Sequence, residues 1–247
     1  MNAIYILWLR ELKRYFRSRA RMIGSLGQPV LFLLALGFGL GPVFQRAGQG
    51  NYFQFLAPGV MAMGILFTAI FAGIQVIWDK QFGFLKETLV APVSRLNIML
   101  GKTLGGATIA FIQGTVVFIL AIIFGFRPDL TLLPLTLLFM LIIAIFFTAL
   151  GISVASMLED ISGFQLIMNF LVQPLFFLSG ALYPLTNLPS VLTTITSIDP
   201  LTYGVDGIRG SLTHTTHFGL GTDLGVLIIL MFVVLSIGSY LFSKIEM

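Results

Sequence analysis

Residues 130–158 read LTLLPLTLLFMLIIAIFFTALGISVASML and contain no charged side chain. A helix needs about 20 mostly apolar residues to cross the hydrocarbon core of a bilayer. Strands of a membrane barrel would instead alternate apolar and polar residues, and the run from Leu137 to Leu150 shows no such alternation. The segment therefore predicts a membrane-spanning helix, with Pro134 near its start, where a missing N–H costs little.

Five further uncharged windows of membrane length occur in the 247-residue chain. The composition agrees with them, because 57% of the residues are hydrophobic and 10% are charged, whereas soluble domains carry about 25% charged residues. We predict an all-α membrane protein with six transmembrane helices. The predicted spans are Met22–Gln45, Phe55–Trp78, Thr103–Phe126, Leu130–Leu158, Gly163–Leu182 and Leu224–Ser243.

Lysine and arginine are unevenly distributed between the two sides of these spans. Arg46, Arg127 and Arg209 fall on one side, and the other 11 of the 14 basic residues fall on the opposite side. Short loops rich in lysine and arginine stay in the cytoplasm, so both termini are predicted to be cytoplasmic. That arrangement requires an even number of spans, in agreement with six.

Residues 1–21 are predicted to form an amphipathic helix at the membrane interface, preceding a transmembrane domain of residues 22–247. Trp8 belongs to the apolar positions at helical spacing, whereas Arg10, Arg14 and Arg17 occupy the other face. Such helices lie in the headgroup region with their cations toward anionic lipid. The segment could act only as a topological anchor, or could also provide a surface for a cytoplasmic partner.

Residues 79–102 join the second and third predicted spans and are longer than a connection requires. They interleave charged and apolar side chains, so they could dock into another protein, although a solvated loop is the alternative. Pro92 is expected to end a short helix, and Ser94 to cap the next one. The candidate docking residues are Lys86, Glu87, Leu89, Pro92 and Arg95.

Residues 183–223 are too apolar for an exposed loop and too interrupted by proline for a span. Irregular backbone at membrane depth is tolerated only where protein or a wet cavity surrounds it. We therefore predict short re-entrant or interfacial helices on the outer face, in which Asp206 and Arg209 could pair. The candidate residues of this segment are Pro184, Pro189, Asp199, Pro200, Tyr203, Asp206 and Arg209.

The sequence contains no recognisable nucleotide-binding, catalytic or metal-binding motif. Gly101-Lys102-Thr103 imitates the end of a phosphate-binding loop, but the position five residues earlier is Leu96 rather than glycine. His214 and His217 lack a nearby carboxylate and are interpreted as loop residues. No predicted span interior carries an ionisable side chain, which disfavours ion-coupled transport, so the energy is expected to come from elsewhere.

Some aromatic and uncharged polar side chains lie within the predicted spans. They could line a path for an amphiphilic solute, or they could fill helix contacts and hydrogen-bond between helices. The sequence is compatible with both interpretations. The candidate lining residues are Phe67, Phe71, Gln75, Gln113 and Asn169.

Two motifs resemble those of the permease subunits of ABC-2 type exporters. Residues 87–95, ETLVAPVSR, are similar to the loop signature E-x-L-x-x-P-V-S-R of that family. Leu188-Pro189 and residues 199–203, DPLTY, resemble its outer segment, with Asp199 in place of the usual asparagine. The order of the segments is similar along nearly the whole chain, and the drug-exporter branch fits best.

The resemblance implies a non-catalytic permease that pairs with a second copy or a related permease and binds two copies of a separate ATPase subunit. ATP and Mg would be used by that partner, and this chain would bind no cofactor of its own. Residues 79–102 would sit in a cleft of the ATPase, and hydrolysis would move the spans to export a drug or lipid-like solute.

The resemblance further implies a multi-pass protein of the plasma or inner membrane of a prokaryotic cell, in contact with lipid and without a nucleic-acid partner. The polysaccharide or O-antigen branch has a similar topology and is an alternative within the family. A passive channel or scaffold, whose cytoplasmic loop binds some other protein, is the alternative from a different class.

Overall fold

The computed structural model describes residues 3–46, 50–84, 93–186 and 188–244. Within these ranges the chain is helical and contains no strand. A π-helical turn, Met168–Val172, joins the helix Ile161–Ile167 to the helix Gln173–Leu178. The helices are α1 (Ala3–Arg17), α2 (Arg19–Arg46), α3 (Tyr52–Phe71), α4 (Ile74–Gln81), α5 (Arg95–Ile123), α6 (Leu133–Met157), α7 (Ile161–Ile167), α8 (Gln173–Leu178), α9 (Ser190–Ile198), α10 (Pro200–Thr213) and α11 (Leu220–Ser243).

Six helical segments of the described chain are long and apolar enough to cross a membrane, which confirms the predicted six-helix, all-α architecture. Span 2 combines α3 and α4, and span 5 combines α7, the π-helical turn and α8. The others are single helices. Spans 1 to 6 are Arg19–Arg46, Tyr52–Gln81, Arg95–Ile123, Leu133–Met157, Ile161–Leu178 and Leu220–Ser243.

Hydrogen bonds between distant residues define the two ends of the bundle. At one end the Arg95 guanidinium donates to the carbonyl of Ser243 at 2.5 Å, which joins the start of span 3 to the end of span 6. We call this the basic end; it also holds α1 and the end of span 2. At the opposite end the Tyr52 hydroxyl donates to the carbonyl of Leu182 at 2.9 Å. The placement of the basic end in the cytoplasm stays a prediction from the charge distribution.

The interval between spans 2 and 3 is shorter than predicted. Span 2 continues through Asp79 and Lys80 to Gln81, and span 3 starts at Arg95, eight residues before the predicted Thr103. The predicted connection, residues 79–102, therefore includes the ends of two helices. The predicted ends of these two spans lie at the first charged residue. That rule is wrong here, because the side chains of Asp79, Lys80 and Lys102 have their partners inside the protein.

Three other predicted boundaries also differ from those of the structure. The predicted division at residue 21 falls inside α2, which starts at Arg19. Span 5 covers Ile161–Leu178 and ends before the predicted Leu182. Span 6 starts at Leu220, so the last residues of the predicted outer segment 183–223 belong to it.

Helix α1 is present and packs along the first half of span 3. A Cβ atom on Gly101 would lie 2.8 Å from the Cβ of Leu7, and one on Gly105 would lie 2.7 Å from the Cβ of Glu11. Because these glycines are four residues apart on one face, they let the two helix backbones approach closely. The location of α1 at a lipid surface stays a prediction.

The chain between spans 5 and 6 forms the two short helices α9 and α10, as predicted for this segment. Gly180 has φ +70° and turns the chain after span 5. Helix α10 is buried among the spans, where Gly207 faces the ring of Phe139 and the Thr136 hydroxyl donates to that of Ser211 at 2.8 Å. Protein therefore covers α10, whereas most residues of α9 are exposed.

The π-helical turn of span 5 ends two residues before a proline. Pro174 has no N–H, and in a regular helix its ring would clash with the carbonyl four residues earlier. Just before it, the N–H of Gln173 bonds to the carbonyl of Met168, five residues back. The wider turn removes the clash, and such turns often occur at functional sites.

Spans 2 and 4 cross closely because glycines face each other's backbone. A Cβ atom on Gly151 would lie 2.6 Å from the carbonyl oxygen of Ile70 and 2.9 Å from its Cα. Backbone cannot move aside as a flexible side chain can, so any larger residue there must separate the helices.

We expect Gly151→Val to lower the free energy of unfolding by about 1–3 kcal/mol, the usual cost of overpacking. The measurement is the thermal unfolding temperature of the purified protein in detergent. Gly39→Val is the matched control, because a Cβ on Gly39 has no atom within 4 Å and the helix propensities change equally. Equal decreases in the two variants would contradict the packing argument.

Candidate functional site

A cavity of about 610 Å³ lies at the basic end, between α1 and spans 1, 2, 3 and 5. Its wall combines charged, uncharged polar and apolar side chains. The charged members are Glu11, Arg14, Arg21 and Lys102. The apolar members include Pro29, Met63, Phe67, Phe71, Trp78 and Ile109, and the polar members include Ser25, Gln28, Thr68, Gln75 and Gln165.

The cavity brings together three of the five predicted lining residues, Phe67, Phe71 and Gln75. Gln113 instead lies beside it as a link between helices: its Nε2 donates to the carbonyl of Ser25 at 2.9 Å, and its Oε1 accepts from the Tyr15 hydroxyl at 3.4 Å. Asn169 is an exposed residue of the π-helical turn. Transport along any of these side chains stays a prediction.

The rings of three phenylalanines join the spans that surround the cavity. Phe176 of span 5 lies with its ring centroid 6.0 Å from that of Phe67 and 5.9 Å from that of Phe32 of span 1. Phe176 is 1% exposed and comes two residues before the end of its span. This phenylalanine cluster therefore joins spans 1, 2 and 5 at the cavity wall, to which Phe67 belongs.

A cluster of five charged side chains ties α1 to spans 2 and 3. Asp79 pairs with Lys102 and lies 3.3 Å from Arg10 Nη2 and 3.7 Å from Arg14 Nη1, and Glu11 lies 4.0 Å from Lys102 Nζ. The side chains of Asp79 and Lys102 are 4% and 3% exposed. Because a buried charge is stable only when it is closely compensated, this ionic cluster fixes the position of α1.

The ionic cluster changes the roles predicted for the N-terminal residues. Arg10 and Arg14 point to Asp79 rather than only to lipid headgroups. The indole N–H of Trp8 donates to Thr108 Oγ1 at 3.0 Å, so it also binds span 3. Arg17, the fourth residue predicted for this helix, is exposed.

Lys80 joins the end of span 2 to the end of span 4. Its ammonium donates to the carbonyls of Ala155, Ser156 and Leu158 at 3.2, 2.5 and 3.1 Å. The last carbonyls of a helix have no partner within the helix, and the negative end of the helix dipole attracts a cation. Lys80 therefore caps the C-terminal end of span 4.

The predicted docking residues Lys86, Glu87, Leu89 and Pro92 lie outside the described residues. Arg95, the fifth, starts span 3 and binds Ser243. Ser94 caps span 3 as predicted, since its Oγ accepts from the N–H of Asn97 at 3.3 Å. The structure therefore describes the two helix ends that flank residues 85–92, and both are tied to other spans.

At the opposite end Arg209 does not form the salt bridge with Asp206 that was considered from the sequence. Its guanidinium donates to the carbonyl of Gly180 at 2.9 Å and lies 4.0 Å from the ring centroid of Phe55. Burial lowers the pKa of Arg209 to about 10, so it stays charged at neutral pH. The carboxylate of Asp206 accepts from the backbone N–H of His217 at 2.8 Å.

The remaining residues of the outer segment support local structure. Pro189 lies at the start of α9, and Pro184 lies in the turn after span 5. Pro200 occupies the first turn of α10, where its missing N–H costs little. The Tyr203 hydroxyl donates to the carbonyl of Ser197 at 2.6 Å.

Sequence reasoning missed the ionisable side chains inside the spans. Asp79, Lys80 and Lys102 belong to spans 2 and 3, and Asp223 is fully buried in the first turn of span 6, beside Asp206. His214 lies 2.8 Å from Asp129 in an exposed pair. No group of metal-ligating residues occurs among the residues that the structure describes.

The model of the ABC-2 type transporter family matches residues 2–213, most of the chain. The chain belongs to the ABC-2 type transporter family. The resemblance inferred from the two motifs is thereby confirmed. The chain is an ABC-2 permease subunit of an ABC transporter, and such permeases partner with an ATP-binding subunit.

Relatives of this ABC-2 permease occur in bacteria and as plastid-type proteins. The transport permease ycf38 of Cyanophora paradoxa is 28% identical, over 99% of this chain and 89% of its own. Nodulation protein J of Rhizobium leguminosarum bv. trifolii is 30% identical, over 83% and 76%. Nodulation protein J of Rhizobium leguminosarum bv. viciae is 28% identical, over 91% and 85%.

We expect Lys102→Met to destabilise the permease by roughly 3–5 kcal/mol, because it leaves the buried Asp79 without its closest cation. Adding Asp79→Leu should recover much of that loss. The measurement is a double-mutant cycle on the free energy of unfolding. Arg127→Met, at an exposed position, is the control and should have little effect. Strictly additive effects of the two buried changes would refute the ion pair.

The buried carboxyl group of Asp199 should make the stability of the folded permease depend on pH. Its side chain is 3% exposed, and burial raises its pKa from 3.8 to about 7, although it accepts a hydrogen bond from the N–H of Leu201 at 2.8 Å. The folded state therefore holds this proton more tightly than the unfolded state. The contribution to stability is complete below about pH 4 and is lost as the pH rises through about 7.

Asp199→Asn provides the matched comparison, because asparagine can keep the cap on α10 but cannot ionise. We expect the unfolding temperature of the wild type to fall between pH 5 and pH 8 more steeply than that of the variant. Parallel pH profiles would show that another group controls the decline.

Proposed function

We propose that this permease is the membrane subunit of an ATP-driven exporter that moves an amphiphilic or hydrophobic solute outward, in the manner of the drug-exporter branch. The observation that carries the proposal is the overlap between the cavity and the ionic cluster. Glu11, Arg14 and Lys102 belong to both. The solute space is therefore built from the same side chains that hold the helix ends around residues 85–92.

The ionic cluster supports a mechanical connection between an ATP-binding subunit and the cavity. Asp79 and Lys102 lie on either side of residues 85–92 in the sequence and are joined in the structure. A displacement of the intervening segment would therefore act on spans 2 and 3 and on α1 as one unit. Lys80 and Arg95 extend this unit to the ends of spans 4 and 6.

The phenylalanine cluster supports the outward direction of transport. While Phe176 contacts Phe32 and Phe67, spans 1, 2 and 5 are held together at the cavity wall. Movement of spans 2 and 3 with the ionic cluster would separate Phe67 from Phe176. The cavity would then open toward the opposite end of the bundle.

The proposal includes the assembly in which this happens. Two copies of an ATP-binding subunit, which use ATP and Mg, bind the basic ends of two permeases, either identical or closely related. Both termini are cytoplasmic, and the membrane is the plasma or inner membrane of a prokaryotic cell. The concentration of 11 of the 14 basic residues on one side supports this orientation.

Glu87→Ala should reduce solute-stimulated ATP hydrolysis in vesicles that contain the permease and its ATP-binding subunit. We expect a loss of about tenfold, equivalent to about 1.4 kcal/mol of coupling, because Glu87 belongs to the proposed docking segment. Arg127→Ala changes an exposed residue at the opposite end and is the control.

Three results would count against the proposed function. Unchanged coupling in Glu87→Ala would remove the docking segment from the mechanism. Flux that persists without ATP would favour the passive channel or scaffold. Stimulation by polysaccharide carriers, and not by small amphiphiles, would move the protein to the polysaccharide branch.

A further inference from the structure

The cavity wall carries two arginines whose side chains act on each other. Arg14 and Arg21 both line the cavity, and Arg14 and Glu11 are the charged neighbours that influence Arg21. Two guanidinium groups at one place repel each other unless an anion lies between or beside them. Arginine is also the side chain best suited to bind a carboxylate, sulfate or phosphate group in two-point contact.

Arg21 differs from the other cations of the cavity in its partners. Arg14 and Lys102 lie within ion-pair distance of Asp79. Among the described residues no carboxylate lies within 4.0 Å of Arg21, whose guanidinium instead lies 5.9 Å from the ring centroid of Trp78. Arg21 is an exposed residue of the wall, so the cavity offers a guanidinium that is open to solvent and has no described carboxylate within ion-pair distance.

The rest of the wall fits an apolar group attached to such an anion. Phe67 and Phe71 lie four residues apart on span 2, and Pro29 and Ile109 add apolar surface from spans 1 and 3. A volume of about 610 Å³ falls in the range of about 300–1,000 Å³ found for pockets that bind drug-sized ligands.

A polar side chain inside the cavity also lacks a partner. Gln75 is 7% exposed and lines the cavity, and its Oε1 has no hydrogen-bond partner among the described residues. Leaving a buried amide oxygen without a partner costs stability. A ligand that donates a hydrogen bond from a hydroxyl or amide group would remove this cost.

We propose that the cavity binds the transported solute as a drug-sized amphiphile with an anionic head group, which contacts Arg21 and Arg14 while the apolar part contacts Phe67 and Phe71. The inference rests on the proposed function and names the substrate class of the same cavity. It disfavours a cation as the solute, because three of the four charged residues of the cavity wall are basic and would repel it.

The test uses the two tryptophans of the chain, Trp8 and Trp78. Trp78 lines the cavity, whereas Trp8 binds Thr108. In Trp8→Phe, Trp78 is the sole tryptophan and reports on the cavity; in Trp78→Phe, Trp8 reports on partition into the surrounding lipid. Both permeases are placed in nanodiscs of phosphatidylcholine and titrated with 2-bromododecanoate, or with a dodecyl trimethylammonium that carries its bromine at the same distance from the charged group.

We expect saturable quenching of Trp78 by the anionic probe, at a concentration about tenfold lower than the cationic probe requires. Arg21→Gln should raise that concentration about tenfold, and Arg21→Lys should restore it only in part, because lysine keeps the charge but not the two-point contact. Arg46→Gln, an exposed arginine at the other end of the same helix, should leave it unchanged. If Trp8→Phe does not fold, the difference between the wild type and Trp78→Phe supplies the Trp78 signal.

Equal affinity for the two probes would overturn the proposal, as would quenching that is insensitive to Arg21→Gln or the same in both single-tryptophan variants. The binding measurement needs no ATP-binding subunit, so its failure is distinguishable from failure of the exporter function. If only cationic or neutral solutes stimulate ATP hydrolysis by the complex, the proposed exporter function stands and the proposed anion site does not. Anion binding without any effect on ATP hydrolysis in the complex would keep the site and end the exporter proposal.

Discussion

A membrane interior offers no hydrogen bonds, so each carbonyl and each charge of this protein must find its partner within the protein or at the interface. Helical hydrogen bonds meet this requirement within the spans, and basic side chains meet it at several helix ends. Lys80 binds three carbonyls at the end of span 4, Arg95 binds the carbonyl of Ser243 at the end of span 6, and Arg209 binds that of Gly180 after span 5. Lysine and arginine therefore join helix ends in addition to setting the predicted topology.

The same requirement explains which parts of the fold could be predicted from the sequence. Six spans follow from local hydropathy, because each crossing needs its own long apolar segment. The ends of the spans do not follow, because a charged residue marks the end of a span only where its side chain stays in water. Asp79 and Lys102 are 23 residues apart, and only the folded chain brings them together. The pattern of α1 predicted a helix, but a face packed on span 3 has the same periodicity as a face in lipid.

The candidate site was predictable to the extent that one helix determines it. Phe67, Phe71 and Gln75 lie at spacings of four on span 2, so a single face presents them all to the cavity. Gln113 and Asn169 belong to other spans, whose rotation about their axes the sequence could not supply. Arg209 likewise binds a carbonyl 29 residues away, and the carboxylate of Asp206 accepts instead from the backbone N–H groups of His217 and Phe218.

Span 5 is the part of the cavity wall best able to move. α1 and spans 2 and 3 are joined by buried charges, and separating these would expose uncompensated ions to a low dielectric. Span 5 contributes Ile161 and Gln165 to the cavity, has a π-helical turn before Pro174 and ends just before Gly180. Its contacts through Phe176 are between apolar rings, which other apolar groups or lipid chains can replace at little cost. An arrangement of rigid ionic joints on one side and exchangeable apolar contacts on the other is what an alternately opening cavity requires.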